Sequence, residues 1–188
     1  MDIILRRFDP KKDMDNIYKV YSDYNEQHNL FNIMNLNSPE RFPVLFERRL
    51  SNNYSDFFII TNQNDAFIGF VISYDYSPND LHMKVMEYIS PDYRNGIYTA
   101  IGLIKFMHIL FSHYCIKKIY TEVYGFNTES LKSHSSFGFE EEARLKDYRY
   151  YKGRSWDFVI FSITKERFYE KYQKIITKCI DADEMDNG

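Results

Sequence analysis

Two rhythms of apolar residues alternate along the chain, and each change of rhythm marks an element boundary. Ile3 to Phe8 reads as a short strand stopped by Asp9-Pro10. A helical stripe follows, led by Asp13 and carrying Met14, Ile17, Tyr21 and Tyr24. Ser38-Pro39-Glu40 has the order of an N-cap, a first-turn proline and an early acid, which predicts a second helix with Phe42, Leu45, Phe46, Arg49 and Leu50 on one face. Three strands come next, Phe57 to Thr61, Phe67 to Tyr74 and Leu81 to Ile89, rich in aromatic and branched residues. They are parted by the turn compositions Asn62-Gln63-Asn64-Asp65 and Ser77-Pro78-Asn79-Asp80, so they form an antiparallel meander.

After Ser90-Pro91 the polar loop Asp92 to Gly96 leads into a run from Ile97 to His113 that is apolar on nearly every face, the mark of a helix buried on several sides. Lys118 to Tyr124 is a strand, Asn127 caps a short helix that Gly138 closes, and Phe139 to Tyr151 and Trp156 to Ile163 form a hairpin across Lys152-Gly153-Arg154. From Lys165 to Ile180 a last helix places Phe168, Tyr172, Ile175, Ile176 and Cys179 on one stripe, either packed across its own sheet or set in a homodimer contact. The acidic stretch Asp181 to Gly188 is expected to be disordered. This order predicts an α/β fold with a mixed, mostly antiparallel central sheet of about seven strands flanked by helices, plus the extra C-terminal helix. The parallel pair falls where the Ile97 helix joins the strand ending at Ile89 to the one beginning at Lys118, as a right-handed crossover.

A chain of 188 residues fits one domain. Its 17 Tyr, 16 Phe and 1 Trp stand out, and two accounts fit them: rings filling a core short of Ala and Gly, or a ring-lined binding surface. With 24 Lys and Arg against 27 Asp and Glu, the net charge is −3, which argues against a nucleic-acid-coating surface. Cys115 and Cys179 have neither disulfide-framework nor zinc-finger spacing, so a reducing, cytoplasmic setting is expected, and Cys115, after an apolar helix, is expected to be buried and inert. His108 and His113 miss the spacing of a helical metal pair, so no metal is expected. The longest apolar stretch, Ile101 to Phe111, is broken by Lys105 and His108, so no membrane span is expected either.

The segment Ile89-Ser90-Pro91-Asp92-Tyr93-Arg94-Asn95-Gly96-Ile97-Tyr98-Thr99 carries the candidate chemistry. A strand ends, a loop with one glycine turns, and a long helix begins, an arrangement whose free N–H groups suit a phosphate. Two later segments keep step with it: Glu122-Val123-Tyr124-Gly125-Phe126-Asn127-Thr128-Glu129-Ser130 leading to Phe137-Gly138-Phe139, and Glu142 to Asp147 leading to Gly153-Arg154-Ser155-Trp156-Asp157. In order and spacing the three together resemble the GNAT acyl-CoA N-acyltransferase superfamily, its RimJ/RimL and polyamine-acetyltransferase branch in particular. The resemblance places a GNAT-like domain over residues 1–164, with 165–180 as a helical extension and 181–188 as the tail.

What it implies is acetyl-CoA, or another acyl-CoA, as co-substrate. Its pyrophosphate would lie on Arg94, Asn95, Gly96, Ile97, Tyr98 and Thr99, its pantetheine along Tyr88 and Ile89, and Asn127, a catalytic candidate as well, would contact it or an ordered water from the next strand. Glu87 is then the candidate base, with a cross-strand ion pair as the alternative. His134 stands where many relatives place a tyrosine that protonates the leaving thiolate, though a histidine there can equally be a polar surface residue. Two departures weigh against the pattern: the loop is one residue short of the usual spacing and holds a single glycine, and the tyrosine is missing. The expected activity is transfer of an acetyl group to the primary amine of a small molecule by direct attack on the thioester. The alternatives are a protein N-terminal acetyltransferase and a non-catalytic acyl-CoA-binding regulatory module. Asp23, Glu26 and Glu47 are placed near the acceptor by the same resemblance, where they would attract a cationic amine; solvated helix faces are the alternative. The protein is expected to be a monomer or homodimer with no nucleic-acid partner.

Overall fold

The structure is a computed structural model and describes residues 3–30, 39–94 and 98–185; a few side chains within its helices and strands, those of Tyr98 and Thr99 among them, lie outside that description. The chain runs β1 (Ile4–Arg7), α1 (Pro10–Ser22), α2 (Tyr24–Asn29), a 3-10 turn at Pro39–Arg41, α3 (Phe42–Asn53), β2 (Tyr54–Thr61), β3 (Phe67–Ser77), β4 (His82–Ile89), a second 3-10 turn at Pro91–Tyr93, α4 (Tyr98–His113), β5 (Lys118–Tyr124), α5 (Thr128–Phe137), β6 (Glu140–Tyr151), β7 (Arg154–Thr164) and α6 (Lys165–Met185). The seven strands form one sheet in the order β1-β2-β3-β4-β5-β7-β6. Every pairing is antiparallel except β4 with β5, which α4 joins as the crossover. The fold class read from the sequence therefore holds.

Alternation along the strands divides the core in two. On the rear face Phe58, Ile60, Val71, Met83, Val85, Ile89, Ile119 and Val123 pack with Leu103, Phe106, Met107 and Leu110 of α4 and with Phe168, Tyr172 and Ile176 of α6. On the front face Phe57, Ile59, Phe70, Ile72, Met86 and Tyr88 pack with Ile17, Val20 and Tyr21 of α1 and Phe42 and Phe46 of α3. Rings bridge the layers where smaller side chains would leave space, as in the contact of Phe46 with Tyr21 at 5.6 Å and with Phe57 at 5.8 Å.

Several boundaries differ from the sequence reading by a few residues; the helical ones bear on the site. α1 begins at Pro10, not at Asp13, because the Asp9 carboxylate caps it by accepting from Lys11 N–H. Asp13 instead lies buried one turn in, where Arg6 of β1 donates to both its oxygens at 2.7 Å and the N–H of Asp9 adds a third bond. Tyr24 does not continue the α1 stripe: Asp23 breaks the helix and caps α2 by accepting from the N–H groups of Asn25 and Glu26. α3 starts after a 3-10 turn, and the predicted cap Ser38 lies outside the described residues. α6 runs to Met185, five residues beyond Ile180 and into the stretch expected to be disordered. Cys115 is exposed, not buried, because α4 ends at His113 and the cysteine falls in the connector to β5.

Candidate active site

A slot opens through the sheet where β4 and β5 part. Their ladder consists of His82 with Lys118, Met83 with Ile119 and Lys84 with Tyr120, and then the strands diverge. At the fork, on the front face, Lys84 Nζ lies 2.7 Å from Glu122 of β5 and 3.1 Å from Asp75 of β3. Burial by itself would lower the Lys84 pKa, but the hydrogen bonds and charges of these two carboxylates outweigh it and raise it. Tyr74 donates its hydroxyl to the other oxygen of Glu122 at 3.1 Å. Beyond this fork β4 remains bonded to β3 on its other edge as far as Ile89, and Ser90 N–H still reaches the Ile68 carbonyl at 2.8 Å. Gly69 makes that approach possible, since a Cβ there would collide with the carbonyl oxygen of Tyr88.

Strand geometry then fixes which backbone groups face the slot. Ser90 and Tyr88 turn theirs toward β3, so those of Ile89 and Glu87 point the opposite way, into the gap. The Ile89 carbonyl does so visibly, accepting from Arg94 Nε at 2.9 Å. Tyr88, expected to share the pairing role, contributes its ring instead: it stacks on Phe70 at 5.2 Å on the front face and lies under the Arg94 guanidinium at 5.8 Å.

A cleft of about 480 Å³ fills the gap. Its lining comes from both faces of both strands, with Met86, Tyr88, Glu122 and Tyr124 at the front and Glu87, Ile89, Thr121 and Val123 at the rear. Glu26 of α2 and Leu30 just after it close the front mouth, and Asn127, Ser130 and His134 close the rear one. A second cavity of about 280 Å³ continues on the rear side between Leu103 of α4, Phe137 of α5, Phe139 and Tyr172 of α6. Glu87, Arg94 and His134 line both. The slot is therefore a passage with a front and a rear opening, and Glu87 stands between them.

Glu87 is half-buried where the two cavities meet, its Oε1 is withdrawn from water without a hydrogen-bond partner, and burial pushes its pKa up to about 8. The cross-strand ion pair considered for it is not formed among the described residues. His134 is half-buried as well, and burial lowers its pKa, which favours the neutral ring. Its Nδ1 lies 2.7 Å from the Ser130 carbonyl, which can only accept, so the ring proton sits there; Nε2 is left to accept from the Thr121 hydroxyl at 3.1 Å. The ring stacks on Phe161 at 5.7 Å, so it belongs to the rear wall and not to the surface. Asn127 caps α5 through Oδ1, which accepts from Ser130 N–H at 3.2 Å, while its side chain lines the cleft.

Arg94, expected on a phosphate loop, pairs with a carboxylate of the protein here. Its Nη2 donates to Glu26 Oε2 at 2.6 Å, tying α2 to the end of β4 across the front mouth. Asn95, Gly96 and Ile97 lie outside the described residues, as do the side chains of Tyr98 and Thr99; the helix itself begins at Tyr98. Of the acids placed near the acceptor, Glu26 lines the cleft, Asp23 serves as the α2 cap, and Glu47 is exposed on α3. The sequence reading missed Thr121 and Lys84, which one signal could have revealed: both stand on the two strands that flank the parallel crossover. Among the described residues no three His, Cys, Asp or Glu side chains converge as a metal site would, and no helix is long and apolar enough to cross a membrane.

A mixed sheet parted at its parallel pair, with a polar slot running through it, defines an acyltransferase-like architecture. Residues 7–160 match the family model described as an acetyltransferase (GNAT) domain, and the chain belongs to that family. Among curated proteins it is 23% identical over 111 residues to an uncharacterized N-acetyltransferase, YokL, derived from the SPbeta prophage of Bacillus subtilis (strain 168). That match covers 59% of this chain and spans less than two thirds, 63%, of the relative. Among solved structures it is similar to a spermidine N-acetyltransferase from Vibrio cholerae in complex with CoA and spermine, with a TM-score of 0.78, 18% identity, and coverage of 88% of this chain and 97% of that one. A dodecameric structure of spermidine N-acetyltransferase from Vibrio cholerae aligns with a TM-score of 0.71 at 19% identity, covering 88% of this chain and 95% of the other.

Proposed function

We propose that the protein is an acyl-CoA-dependent N-acyltransferase that moves an acetyl group from acetyl-CoA to the primary amine of a small molecule. The observation that carries this reading is the slot itself: a strand edge left without its partner, with the backbone of Ile89 and Glu87 turned into it and a half-buried carboxyl beside it. An extended amide chain can add to that edge as a missing strand does, and the rear cavity beside α4 has room for its continuation. Acetyl-CoA supplies the thioester.

The chain's own groups have four tasks. The N–H of Ile89 is placed to stabilise the carbonyl oxygen as negative charge develops on it. Arg94 must leave the Ile89 carbonyl before an extended ligand can pair there. The neutral amine nitrogen bonds to the acetyl carbon as the carbon–sulfur bond breaks, which moves one proton from nitrogen to sulfur. Glu87, lining both cavities with a pKa near that of a thiol, suits both halves of this transfer: ionised, it takes the proton from nitrogen, and protonated, it gives the proton to the thiolate. His134 holds its only proton against the Ser130 carbonyl, so its part is to orient the Thr121 hydroxyl at the rear wall. Cys115, an exposed free thiol, is in keeping with a reducing compartment such as the cytoplasm.

Isothermal titration with acetyl-CoA tests the reading first, and a measurable heat of binding is expected. Thiol release is then followed against polyamines, amino acids, aminoalkyl phosphates and an N-terminal peptide. Absence of binding at millimolar acetyl-CoA overturns the proposal; binding with no turnover on any amine leaves a sensor of acyl-CoA in its place.

A further inference from the structure

The charges at the front mouth are not distributed as a polycation site requires. Each carboxylate that faces the slot from the front is matched to a cation of the protein: Glu26 to Arg94 at 2.6 Å and Glu122 to Lys84 at 2.7 Å. Of the two remaining acids of the lining, Glu87 faces the rear, and Glu129 is exposed in the first turn of α5, where the helix N-terminus offsets its charge. On the β6–β7 hairpin the balance is reversed. Among the described residues Arg149, Lys152 and Arg154 have no carboxylate partner, and each lies over a ring: Arg149 over Tyr124 at 5.6 Å, Lys152 over Tyr151 at 5.2 Å and Arg154 over Trp156 at 3.5 Å.

These rings form one wall continuous with the slot. Tyr124 of the cleft lining stacks on Phe126 at 5.4 Å; Phe126 touches Trp156 at 5.9 Å and Tyr151 at 4.6 Å; Tyr151 meets His28 at 4.5 Å, two residues beyond Glu26. Two groups in this wall are withdrawn from water with unused hydrogen-bonding capacity. Both ring nitrogens of His28 and the Nε of Arg149 are buried without a partner, a costly arrangement unless a ligand completes it. Burial, and then the positive charges of Arg149 and Lys152, lower the His28 pKa, so the local field is one that attracts anions.

Resting on the N-acyltransferase reading, we propose that this wall is an acceptor subsite for an anionic group, and that the preferred substrate is a primary amine that also carries a carboxylate or a phosphate. Arg149 and the His28 ring hold the anion, Lys152 and Arg154 raise its local concentration, and the aromatic faces keep the three cations away from competing carboxylates. The substrate class thereby differs from the spermine bound in the Vibrio cholerae structure.

Trp156 is the single tryptophan of the chain and stands in the wall, so its fluorescence reads binding without any turnover. Wild-type protein is titrated with an aminoalkyl phosphate, an ω-amino acid of matched length, the corresponding diamine and spermidine. Saturable quenching by one or both anionic amines and not by the other two is expected, weakened by about tenfold in Arg149→Gln. In acetyl-CoA turnover the same variant should raise KM for the anionic amine by a similar factor while changing kcat/KM for a neutral amine by less than about twofold. A preference for spermidine, or equal losses on anionic and neutral amines, overturns the subsite. If acetyl-CoA is not bound, the N-acyltransferase reading fails while the fluorescence titration still decides on the anion site.

Discussion

Glu87 is the residue on which pH should act. Its carboxyl is neutral when the protein is at rest at pH 7 and ionises as pH rises through about 8. Turnover that depends on the ionised form should climb across that range, and in Glu87→Gln the climb should disappear along with most of the activity, by about 100-fold or more. Stability should move in the opposite sense. A carboxyl whose pKa is higher folded than unfolded contributes stability that is complete below the unfolded value and is lost as pH rises through the folded one. Glu87→Gln should therefore melt close to wild type at pH 4 and above it at pH 9; a constant offset across that range would show that Glu87 ionises normally. Neither property could be read from the sequence, which offers only a glutamate in a strand. What the sequence did carry was its parity with Val85 and Ile89, which places it on the rear face. The Arg94–Glu26 pair was invisible for a different reason: it joins residues 68 positions apart, and no local pattern records such a meeting.

At the level of elements, the slot depends on one close approach and one wall. Gly69→Ala pushes a methyl against the Tyr88 carbonyl and must displace the end of β4. Loss of about 1–3 kcal/mol in chemical denaturation is expected, together with a weaker acetyl-CoA affinity in titration calorimetry, because the displaced residues are those that border the gap. The wall is α6. Phe168 is fully buried, and Tyr172 donates its hydroxyl to the Phe137 carbonyl at 2.5 Å while lining the rear cavity. Phe168→Ala should cost about 3–5 kcal/mol. Truncation after Thr164 should yield a destabilised protein with an exposed core. A well-folded truncated monomer would instead assign the helix to a dimer contact. The stripe of α6 was legible from the spacing of Phe168, Tyr172 and Ile176, and so were all seven strands, because alternation and helical period are local properties. α2 was not, since six residues give too little period; Asp23 followed three positions later by Glu26 was the capping signal that marked its start.

Across the whole molecule, the 34 aromatic residues divide between the two roles that composition left open. Many, such as Phe42, Phe46, Phe70, Phe106 and Phe111, are sealed in the two core layers. A smaller group, Tyr124, Phe126, Tyr151 and Trp156, gathers at one end of the slot, where three of its rings underlie uncompensated cations. On the proposed reading, donor and acceptor meet in the passage between β4 and β5, so initial-rate patterns should intersect, as they do when both substrates must be bound before chemistry; parallel lines would indicate an acylated protein and would count against direct attack. The same passage sets a rule for inhibitor design. A molecule that joins a donor half to an acceptor half cannot be laid into a groove from one side. It has to be threaded, narrow end first, past the Lys84–Glu122 latch and between two strands, so the girth of its tether and not only the fit of its ends will govern how fast it arrives and how slowly it leaves.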